Sequence, residues 1–538
     1  MKKYFSAIIC MFIFFYARSQ TTRPSFDVLH YAFSINLNDD NDSIKGNSVV
    51  ELQMIKDTDW ISLELTSRNA KGKGMEVIDV KENDLPLHFS HIKDILNIQL
   101  PEKTNIGDLK KISIRYQGIP ADGLIISRNK YGHRTFFGDN WPNRAHNWLP
   151  CADYPSDKAA VDFIVIAPDH YQVISNGIKI EESNMANHLK LTHYQEIVPI
   201  PTKVMVIGVA DFAVNYSGSV DCIPVYSWVY PEEKEKGFYD YSLAKDILPF
   251  FIKRVGPFAY LKLANVQSKT TFGGMENASA IFYYENSVKG DRKIEALLAH
   301  EIAHQWFGNS ATETGWQHIW LSEGFATYMT HLYMENKYGL DSLVKRLKTD
   351  RDEVIAFSKL NNQPVIDTSV TENFIQLLNA NSYQKGGWVL HMLRRKLGDT
   401  IFWQGIRKYY AEFAGRNAST NDFRIAMEQV SGQNLNPFFK QWLYRPGQPE
   451  LSIEWHYSPA SKEVDIKVDQ EQKYLYEFPL KIMVITKTDS PTKTVVIKEK
   501  LTALKIPVSE KPLRIQLDPD VDLLFNPVSK ELISPMTK

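Results

Sequence analysis

One short segment of the chain has the residue types and the spacing of a metal site. His300, Glu301 and His304 form an HExxH pattern, and residues four apart lie on the same face of a helix. Two imidazoles can therefore bind one metal ion while Glu301 stands beside its open side. Neutral imidazole suits zinc, and a catalytic zinc needs a third protein ligand and a position for water. Glu323 lies 19 residues after His304, where two antiparallel helices would bring it to the metal.

The chemistry expected of this site is hydrolysis by a zinc-activated water. Zinc lowers the pKa of its water to about 7, and Glu301 would accept the proton and pass it to a leaving amine. An amphipathic helix with two exposed histidines is the alternative, because HExxH arises by chance in roughly one such chain in fifty. The third ligand favours zinc, with one Zn²⁺ per chain bound by His300, His304 and Glu323.

The elements that carry these residues are predicted to be helices. Apolar residues recur at helical spacing in 294–302 and again in 325–333. Helical periodicity dominates residues 231–444, apart from a β-like stretch at 266–284. The metal site is therefore expected in a mostly helical catalytic domain, residues 231–445.

β-patterns flank this helical part on both sides. From about residue 22 to 230, apolar and polar residues alternate between turn signals, which predicts an antiparallel β domain over 20–230. Arg445-Pro446-Gly447-Gln448-Pro449 then interrupts the helical pattern. The alternating runs that follow predict a small β-sandwich over 446–538. The expected fold class is multidomain α+β.

Net charge argues against a nucleic-acid partner. The 538 residues include 62 basic and 63 acidic side chains, which gives a net charge of −1. A nucleic-acid binder usually shows a basic excess. The chain is long enough to bury large cores without disulfides as staples.

The N-terminus has the pattern of a secretory signal peptide, residues 1–19. Lys2 and Lys3 precede an apolar run at 4–17 that is too short to anchor the chain in a bilayer. Cleavage would leave an exported protein, periplasmic or extracellular, without a transmembrane anchor; an uncleaved anchor is the alternative. Cys151 and Cys222 would remain, either bridged or as two buried free thiols, and we favour the thiols.

Four segments resemble a known family, the gluzincin aminopeptidases of peptidase family M1. HEIAHQWFGN at 300–309 and WLSEGFATY at 320–328 resemble its two zinc-binding segments. GGMEN at 273–277 resembles its Gly-x-Met-Glu-Asn exopeptidase motif, and YQKG at 383–386 resembles its catalytic tyrosine segment. The order and spacing agree over roughly residues 25–450. The family includes the membrane alanyl aminopeptidases and leukotriene hydrolase.

The resemblance implies a fold and a function. It implies a β saddle, a thermolysin-like catalytic domain and a β-sandwich, without the large helical C-terminal domain of many members. The implied reaction is hydrolysis of the N-terminal peptide bond of peptides with a free N-terminus. An epoxide hydrolase of the leukotriene hydrolase type and a non-catalytic peptide-binding protein are the alternatives. The oligomeric state stays open.

The resemblance also implies roles for individual residues. Tyr383 would donate a hydrogen bond to the developing oxyanion, and Glu276 would bind the free α-ammonium of the substrate, which disfavours an endopeptidase. The backbone of Gly273, Gly274 and Met275 would line the peptide like an edge strand.

The rest of the expected substrate site is less defined. Asn277 completes the substrate-binding segment. Relatives often supply a glutamine from the β domain to the same amine, but Asp139 to Trp141 stand there in this chain. Asp139 is therefore a candidate amine contact. Glu295 either orients a zinc-binding histidine or is a solvated helix position.

Overall fold

The computed structural model describes residues 25–527. The signal peptide predicted at 1–19 lies outside the described residues. No helix within the described part is long and apolar enough to cross a membrane. Cys151 is buried, Cys222 is exposed, and neither forms a disulfide. The expectation of free thiols is confirmed, and the expected burial of Cys222 is wrong.

The N-terminal part is β-rich because its apolar residues alternate. In the strand Ile44–Met54, for example, every second side chain is fully buried, so one face covers a core. The strands of this part are β1 (Phe26–Asn36), β2 (Ile44–Met54), β3 (Trp60–Glu64), β4 (Gly74–Glu82), β5 (Leu85–Pro86), β6 (His88–Ile92), β7 (Ile95–Gln99), β8 (Leu109–Ile119), β9 (Leu124–Arg128), β10 (Arg134–Gly138), β11 (Lys158–Pro168), β12 (Gln172–Ser175), β13 (Ile178–Met185), β14 (Leu189–Pro201), β15 (Ile207–Ala210), β16 (Ala213–Val220) and β17 (Ile223–Val229).

Most of these strands pair in one large sheet and two small ones. The orders are β13-β14-β11-β1-β2-β8-β4-β5, β12-β15-β10-β9 and β3-β7-β6. The strand pairs of these three sheets are antiparallel, as predicted, except that β1 pairs with β11 in parallel, for example Tyr31 with Val161. These two strands lie far apart in the chain, and alternation within a strand does not encode its partner.

The middle part is mainly helical, as predicted. Its elements are α1 (Lys234–Tyr241), α2 (Ala244–Arg254), β18 (Leu263–Ser268), β19 (Gly274–Met275), β20 (Ala280–Tyr284), α3 (Glu295–His304), β21 (Thr312–Glu313), α4 (Trp320–Tyr338), α5 (Leu340–Leu360), α6 (Gly386–Leu397), α7 (Asp399–Phe413), β22 (Asn417–Ala418), α8 (Thr420–Ser431) and α9 (Asn436–Leu443). The strands at 263–284 agree with the β-like stretch predicted there. Helix α4 ends before Gly339, which has a φ of 86° and so takes a conformation suited to glycine.

One sheet joins the N-terminal and middle parts. Its order is β16-β17-β18-β20-β19, with parallel pairs between β17, β18 and β20. The two-residue strand β19 forms one edge of this sheet and pairs with β20. This edge strand carries Gly274 and Met275, so the sheet places the predicted substrate segment next to α3.

The C-terminal part is again made of strands. They are β23 (Glu450–Ser458), β24 (Glu463–Gln470), β25 (Phe478–Ile485), β26 (Thr492–Ile497), β27 (Leu501–Pro507), β28 (Arg514–Leu517) and β29 (Asn526–Pro527). They form a sheet β27-β24-β23-β29 and a sheet β26-β25-β28. Buried residues of both sheets, such as Ile466 and Ile482, belong to the same hydrophobic cluster as the helices of the middle part.

The site lies where two hydrophobic cores meet. One core contains the N-terminal strands together with Met275 and Trp316. The other contains the helices and the C-terminal strands, including Leu298 and Ile302 of α3. Residues from both sides of this seam therefore converge on the same cavity.

Candidate active site

The structure brings the predicted metal ligands together. His300 and His304 lie on one face of α3, and Glu323 lies in the first turn of α4. The Nε2 atoms of the two histidines are 3.1 Å apart. Glu323 Oε2 lies 3.5 Å from His300 Nε2 and 3.2 Å from His304 Nε2.

These residues fit a zinc ion. Zinc bonds of about 2.0–2.2 Å at tetrahedral angles put neighbouring ligand atoms about 3.3–3.6 Å apart, close to the separations found here. Glu323 Oε2 is buried within reach of both imidazole nitrogens, so the three candidate ligand atoms converge on one position. Burial alone would lower the pKa of His304, but Glu323, Glu276 and Glu301 raise it to about 10. The cluster therefore favours positive charge at its centre.

A second layer of contacts fixes the ring of His304. Its Nδ1 lies 3.1 Å from the Phe307 carbonyl oxygen and 3.1 Å from Ser322 Oγ. A carbonyl only accepts hydrogen bonds, so Nδ1 carries a proton, and Nε2 faces Glu323 and His300, where a metal ion would take the place of a second proton. Gly308 allows the close approach of Ser322, because a Cβ at residue 308 would lie 2.2 Å from Ser322 Oγ.

The segment that carries Glu276 is held by α3, which carries two of the candidate metal ligands, and by the turn after it. Gln305 Nε2 and Asn309 Nδ2 donate to the Glu276 carbonyl oxygen at 2.8 and 2.6 Å. The Gln305 side chain also accepts from the Ser279 amide at 2.9 Å. Glu276 Oε1 is buried and has no hydrogen-bond partner among residues 25–527. The backbone of Glu276 is thus held in place, and its carboxylate has an oxygen available for a cation.

Glu301 lies against the same segment. A Cβ on Gly274 would lie 2.3 Å from Glu301 Oε1, so only glycine lets this edge strand come so close. Burial raises the pKa of Glu301, and Glu276 and Glu323 raise it further, while His304 opposes them. The carboxyl group is therefore placed and tuned to hold a proton.

Tyr383 lies beside His300. It lies in a π-helical turn, Asn381–Lys385, that leads into α6, and such turns are often found at functional sites. Its ring stacks on His300 with the centroids 6.0 Å apart and 12° between the planes. Burial raises the pKa of Tyr383, and the surrounding carboxylates, chiefly Glu323, add to it. The phenol therefore stays protonated and can donate a hydrogen bond.

A close helix crossing sets the distance between Tyr383 and Glu323. A Cβ on Gly324 would lie 2.8 Å from Gly386 Cα, and one on Gly386 would lie 3.0 Å from Gly324 Cα. Helices α4 and α6 can meet at this point because both residues are glycine. The crossing brings the residues next to these glycines to the same cavity.

Asp139 does not serve as an amine contact. Arg144 donates to its Oδ1 at 2.7 Å, and the Thr271 amide donates to its Oδ2 at 3.1 Å. The Thr270 hydroxyl is also within 3.3 Å of Oδ2. Both oxygens are occupied, so Asp139 ties the N-terminal part to the loop before Gly273 instead.

Glu295 fits neither of its expected roles. It is buried, and it accepts hydrogen bonds from Tyr333 at 2.7 Å, from Lys337 at 2.5 Å and from the Tyr338 hydroxyl. None of these partners is a zinc-binding histidine. Glu295 instead joins the start of α3 to the end of α4.

Sequence reasoning missed Gln305, Asn309 and Ser322, although all three lie inside the quoted motif segments. The available signal was their position in the segments that carry the metal ligands. Their side chains hold the backbone of Glu276 and the ring of His304. They act on the geometry of the site without lining its cavity.

The site opens into a cavity of about 340 Å³. All the residues predicted to act in the reaction line it, namely Gly273, Gly274, Met275, Glu276, His300, Glu301, His304, Glu323 and Tyr383. Asn277 is fully buried and does not line the cavity. The remaining lining is apolar, with Trp141 and Phe272 near the segment that carries Glu276.

Two parts of the chain match one peptidase family. Residues 239–442 match the peptidase family M1 domain, and residues 28–204 match the peptidase M1 N-terminal domain. The first match contains the three candidate metal ligands, the catalytic candidates and Glu276.

Individual relatives are aminopeptidases or associated with a protease. A leucyl aminopeptidase of Saccharolobus solfataricus is 25% identical over 523 residues, which cover 91% of this chain and 63% of the relative. A glutamyl aminopeptidase of Sus scrofa is 26% identical over 360 residues, 63% of this chain and 36% of the relative. The tricorn protease-interacting factor F2 of Thermoplasma acidophilum is 27% identical over 459 residues, 80% of this chain and 55% of the relative. The chain spans less than two thirds of the length of these relatives.

Proposed function

Because this chain belongs to peptidase family M1, a family of metallopeptidases, we propose that it is a zinc-dependent aminopeptidase. It hydrolyses the first peptide bond of peptides that have a free N-terminus. One observation carries the proposal: Glu276 holds a buried carboxylate oxygen without a partner in the cavity that also contains the His300, His304 and Glu323 cluster. A buried carboxylate needs a cation, and the α-ammonium of a peptide is one.

The zinc ion would be held by His300, His304 and Glu323. When bound, it supplies Lewis acidity, which makes water nucleophilic near neutral pH and polarises the substrate carbonyl. Glu301 accepts a proton from the attacking water and donates one to the leaving amine as the carbon–nitrogen bond breaks. Tyr383 donates its hydrogen bond to the carbonyl oxygen as negative charge develops there.

Substrate position follows from the amine anchor. With the ammonium on Glu276 and the carbonyl at the metal cluster of the same cavity, the first residue would lie between the two, and the enzyme would remove single residues. The free edge of β19 at Gly274 and Met275 can pair with the substrate backbone. Asn277, the last residue of this segment, is fully buried.

The test compares two matched peptides, one with a free leucine at its N-terminus and the other N-acetylated. Acetylation removes a charge-assisted hydrogen bond, about 1.5–3 kcal/mol, and leaves Glu276 unpaired in a buried site. We expect kcat/KM to fall roughly a hundredfold or more. Glu276→Ala should lose most of the preference for the free peptide over the acetylated one, because its activity on the free peptide falls. Glu276→Gln removes the charge in the same way but keeps the shape of the site. Equal cleavage of both peptides by the wild type, or internal cuts in the blocked one, would contradict the proposal.

Metal dependence gives an independent test. The purified protein should contain one zinc per chain. A chelator should abolish turnover, and one equivalent of zinc should restore it. Full activity of the metal-free protein would overturn the zinc assignment, whatever the result with the acetylated peptide.

The same family membership supports a proposed architecture. We propose a β saddle over residues 20–230, a thermolysin-like unit over 231–445 and a β-sandwich over 446–538. The end of α9 at Leu443 and the start of β23 at Glu450 support the last boundary. Strands β16 and β17 lie in the first unit and complete a sheet of the second.

We also propose that the protein is exported and that residues 1–19 are removed. Lys2, Lys3 and the apolar run that follows them support this proposal. N-terminal sequencing of the natively produced protein should find Gln20 or a close neighbour as the first residue. Retention of Met1 would contradict it.

A further inference from the structure

The walls of the cavity away from the reacting groups are apolar. The glycines aside, these walls consist of Trp141, Phe272, Met275, Leu297 and Leu378. No lysine or arginine lines the cavity within the part of the chain that the structure describes. The ionisable groups in the lining are those already assigned to metal binding, proton transfer, the oxyanion or the amine.

Trp141 is the largest of these side chains and is held firmly in place. Its ring packs edge-on against Phe272 and Trp316, with centroids 6.2 and 5.5 Å apart. Trp316 in turn stacks on Phe374 at 5.3 Å. Arg144 Nε donates to the Trp141 carbonyl oxygen at 2.8 Å, which fixes its backbone as well.

Arg144, a positive charge close to this wall, is already paired with carboxylates. Arg144 lies over the Phe272 ring at 5.9 Å. It pairs with Asp139 at 2.7 Å and with Asp122 at 3.1 Å. A carboxylate on the first side chain would therefore meet Glu276 and Glu301 without a lysine or arginine of the described residues to pair with, because the proposed zinc ion is taken up by the reacting groups.

From this lining we infer that the cavity selects peptides whose first residue has a neutral, apolar side chain, with Trp141 as the specificity-determining wall. The inference rests on the proposed aminopeptidase function. The amine on Glu276 and the carbonyl at the metal cluster fix both sides of the first α-carbon. Its side chain must then occupy the apolar remainder of the cavity. Trp141 contacts Phe272, and Phe272 directly precedes the Gly273–Asn277 segment that would bind the substrate amine. Trp141 therefore lies at the end of the cavity where the amine would bind.

The energetic consequence is a ranked preference. Leucine or phenylalanine should exceed alanine by roughly tenfold or more in kcat/KM, because each added methylene gains contact with the wall. A glutamate at the first position should fall at least roughly a hundredfold below leucine, because a carboxylate there would be desolvated and unpaired. A lysine should fall below leucine as well, since its ammonium finds no free partner beyond the groups the reaction uses.

The experiment measures kcat/KM for fluorogenic substrates of leucine, phenylalanine, alanine, lysine and glutamate. The proteins are the zinc-loaded wild type, Trp141→Ala, Trp141→Phe and the control Trp60→Ala. Trp60 lies half-exposed in β3, outside the cavity lining. We expect the leucine-to-alanine ratio to fall roughly tenfold in Trp141→Ala, to stay nearly unchanged in Trp141→Phe, and to match the wild type in Trp60→Ala.

Several outcomes separate this inference from the function it rests on. If the wild type cleaves free-amine substrates but prefers glutamate or lysine, the inference is overturned and the aminopeptidase stands. An unchanged leucine-to-alanine ratio in Trp141→Ala would likewise remove the role of Trp141. If the wild type cleaves none of the substrates, both fall. If Trp141→Ala does not fold, the order of kcat/KM values in the wild type and the leucine-to-alanine ratio in Trp141→Phe still test the inference.

Discussion

At the scale of single residues, the proposed mechanism assigns proton transfer to Glu301 and charge stabilisation to Tyr383. Glu301→Gln keeps the side-chain shape and the three metal ligands but removes the proton acceptor. We expect zinc content to be unchanged and kcat to fall roughly a hundredfold to ten-thousandfold. Tyr383→Phe removes one donor to the oxyanion and should lower kcat by roughly a hundredfold or more, with KM little changed. Steady-state kinetics beside metal analysis checks both, and normal turnover by Tyr383→Phe would refute its assignment.

Two adjacent glycines offer a matched pair. A Cβ on Gly274 would lie 2.3 Å from Glu301 Oε1, whereas one on Gly273 has Leu297 at 4.0 Å as its nearest neighbour. Gly274→Ala should fold, because the flexible end of Glu301 can move aside, but its kcat should fall roughly a hundredfold as the proton acceptor is displaced. Gly273→Ala should retain most activity. Equal kcat values for the two variants would show that the close approach does not matter.

Positions in the candidate site were predictable where spacing or a motif carries them, since Glu276 and Glu323 line one cavity as expected. Glu323 and Glu276 were found because each belongs to a short segment with a recognisable pattern. The proposed roles of Asp139 and Glu295 failed because their partners are remote. Asp139 binds Thr271, 132 residues away, and Glu295 binds Tyr333 on the next helix. Only the packed fold determines which partner a buried carboxylate finds.

At the scale of elements, Glu295 links α3 to α4 by accepting hydrogen bonds from side chains of α4. Burial would raise its pKa, but hydrogen bonds from Lys337, Tyr338 and Tyr333 lower it below the usual value. Because the pKa of Glu295 is lower in the folded state, the ionised side chain stabilises the fold at pH values above the unfolded-state pKa of about 4.3. This stabilisation is lost as the pH falls through the folded-state pKa. Glu295→Gln should therefore destabilise the protein at pH 7 by about 1–3 kcal/mol, and the difference should shrink below about pH 4.

Thermal unfolding of the wild type and Glu295→Gln across this pH range measures how much the ionised Glu295 stabilises the protein. The matched control is Glu412→Gln, which breaks an exposed ion pair with Lys408 on α7. Such a pair contributes less than about 1 kcal/mol. A pH-independent difference for Glu295→Gln would show that shape, and not charge, joins the two helices.

Helices and strands were predictable because their periods are local. The spacing of apolar residues predicted α3 and α4 on either side of the metal site, and alternation predicted strands such as β8. Pairing was not predictable. The parallel partner of β1 is β11, and the sheet that carries β19 begins in the N-terminal part. Both pairings depend on contacts between segments that are far apart in the chain, and the pattern within a short stretch of sequence carries no information about such contacts.

At the scale of the whole molecule, buried lysines cross the seam between the two cores. Lys158 of β11 donates to the carbonyl oxygens of Asn309 and Ser310 at 3.1 and 2.7 Å. Lys203, just after β14, pairs with Glu313 of β21 at 2.5 Å, and both side chains are almost fully buried. These contacts join the N-terminal part to the segment that follows α3, the helix with two of the candidate metal ligands. The metal site therefore depends on docking of the two parts.

The ion pair between Lys203 and Glu313 gives the last prediction. Removing one partner leaves the other charge buried and uncompensated, so Lys203→Met and Glu313→Leu should each destabilise the protein by about 3–5 kcal/mol. Removing both replaces the pair with apolar side chains, and much of the stability should return, because two well-packed apolar residues often equal a buried ion pair. Thermal unfolding of the four proteins closes a double-mutant cycle. Single effects that simply add in the double variant would show that the two charges do not stabilise each other across the seam.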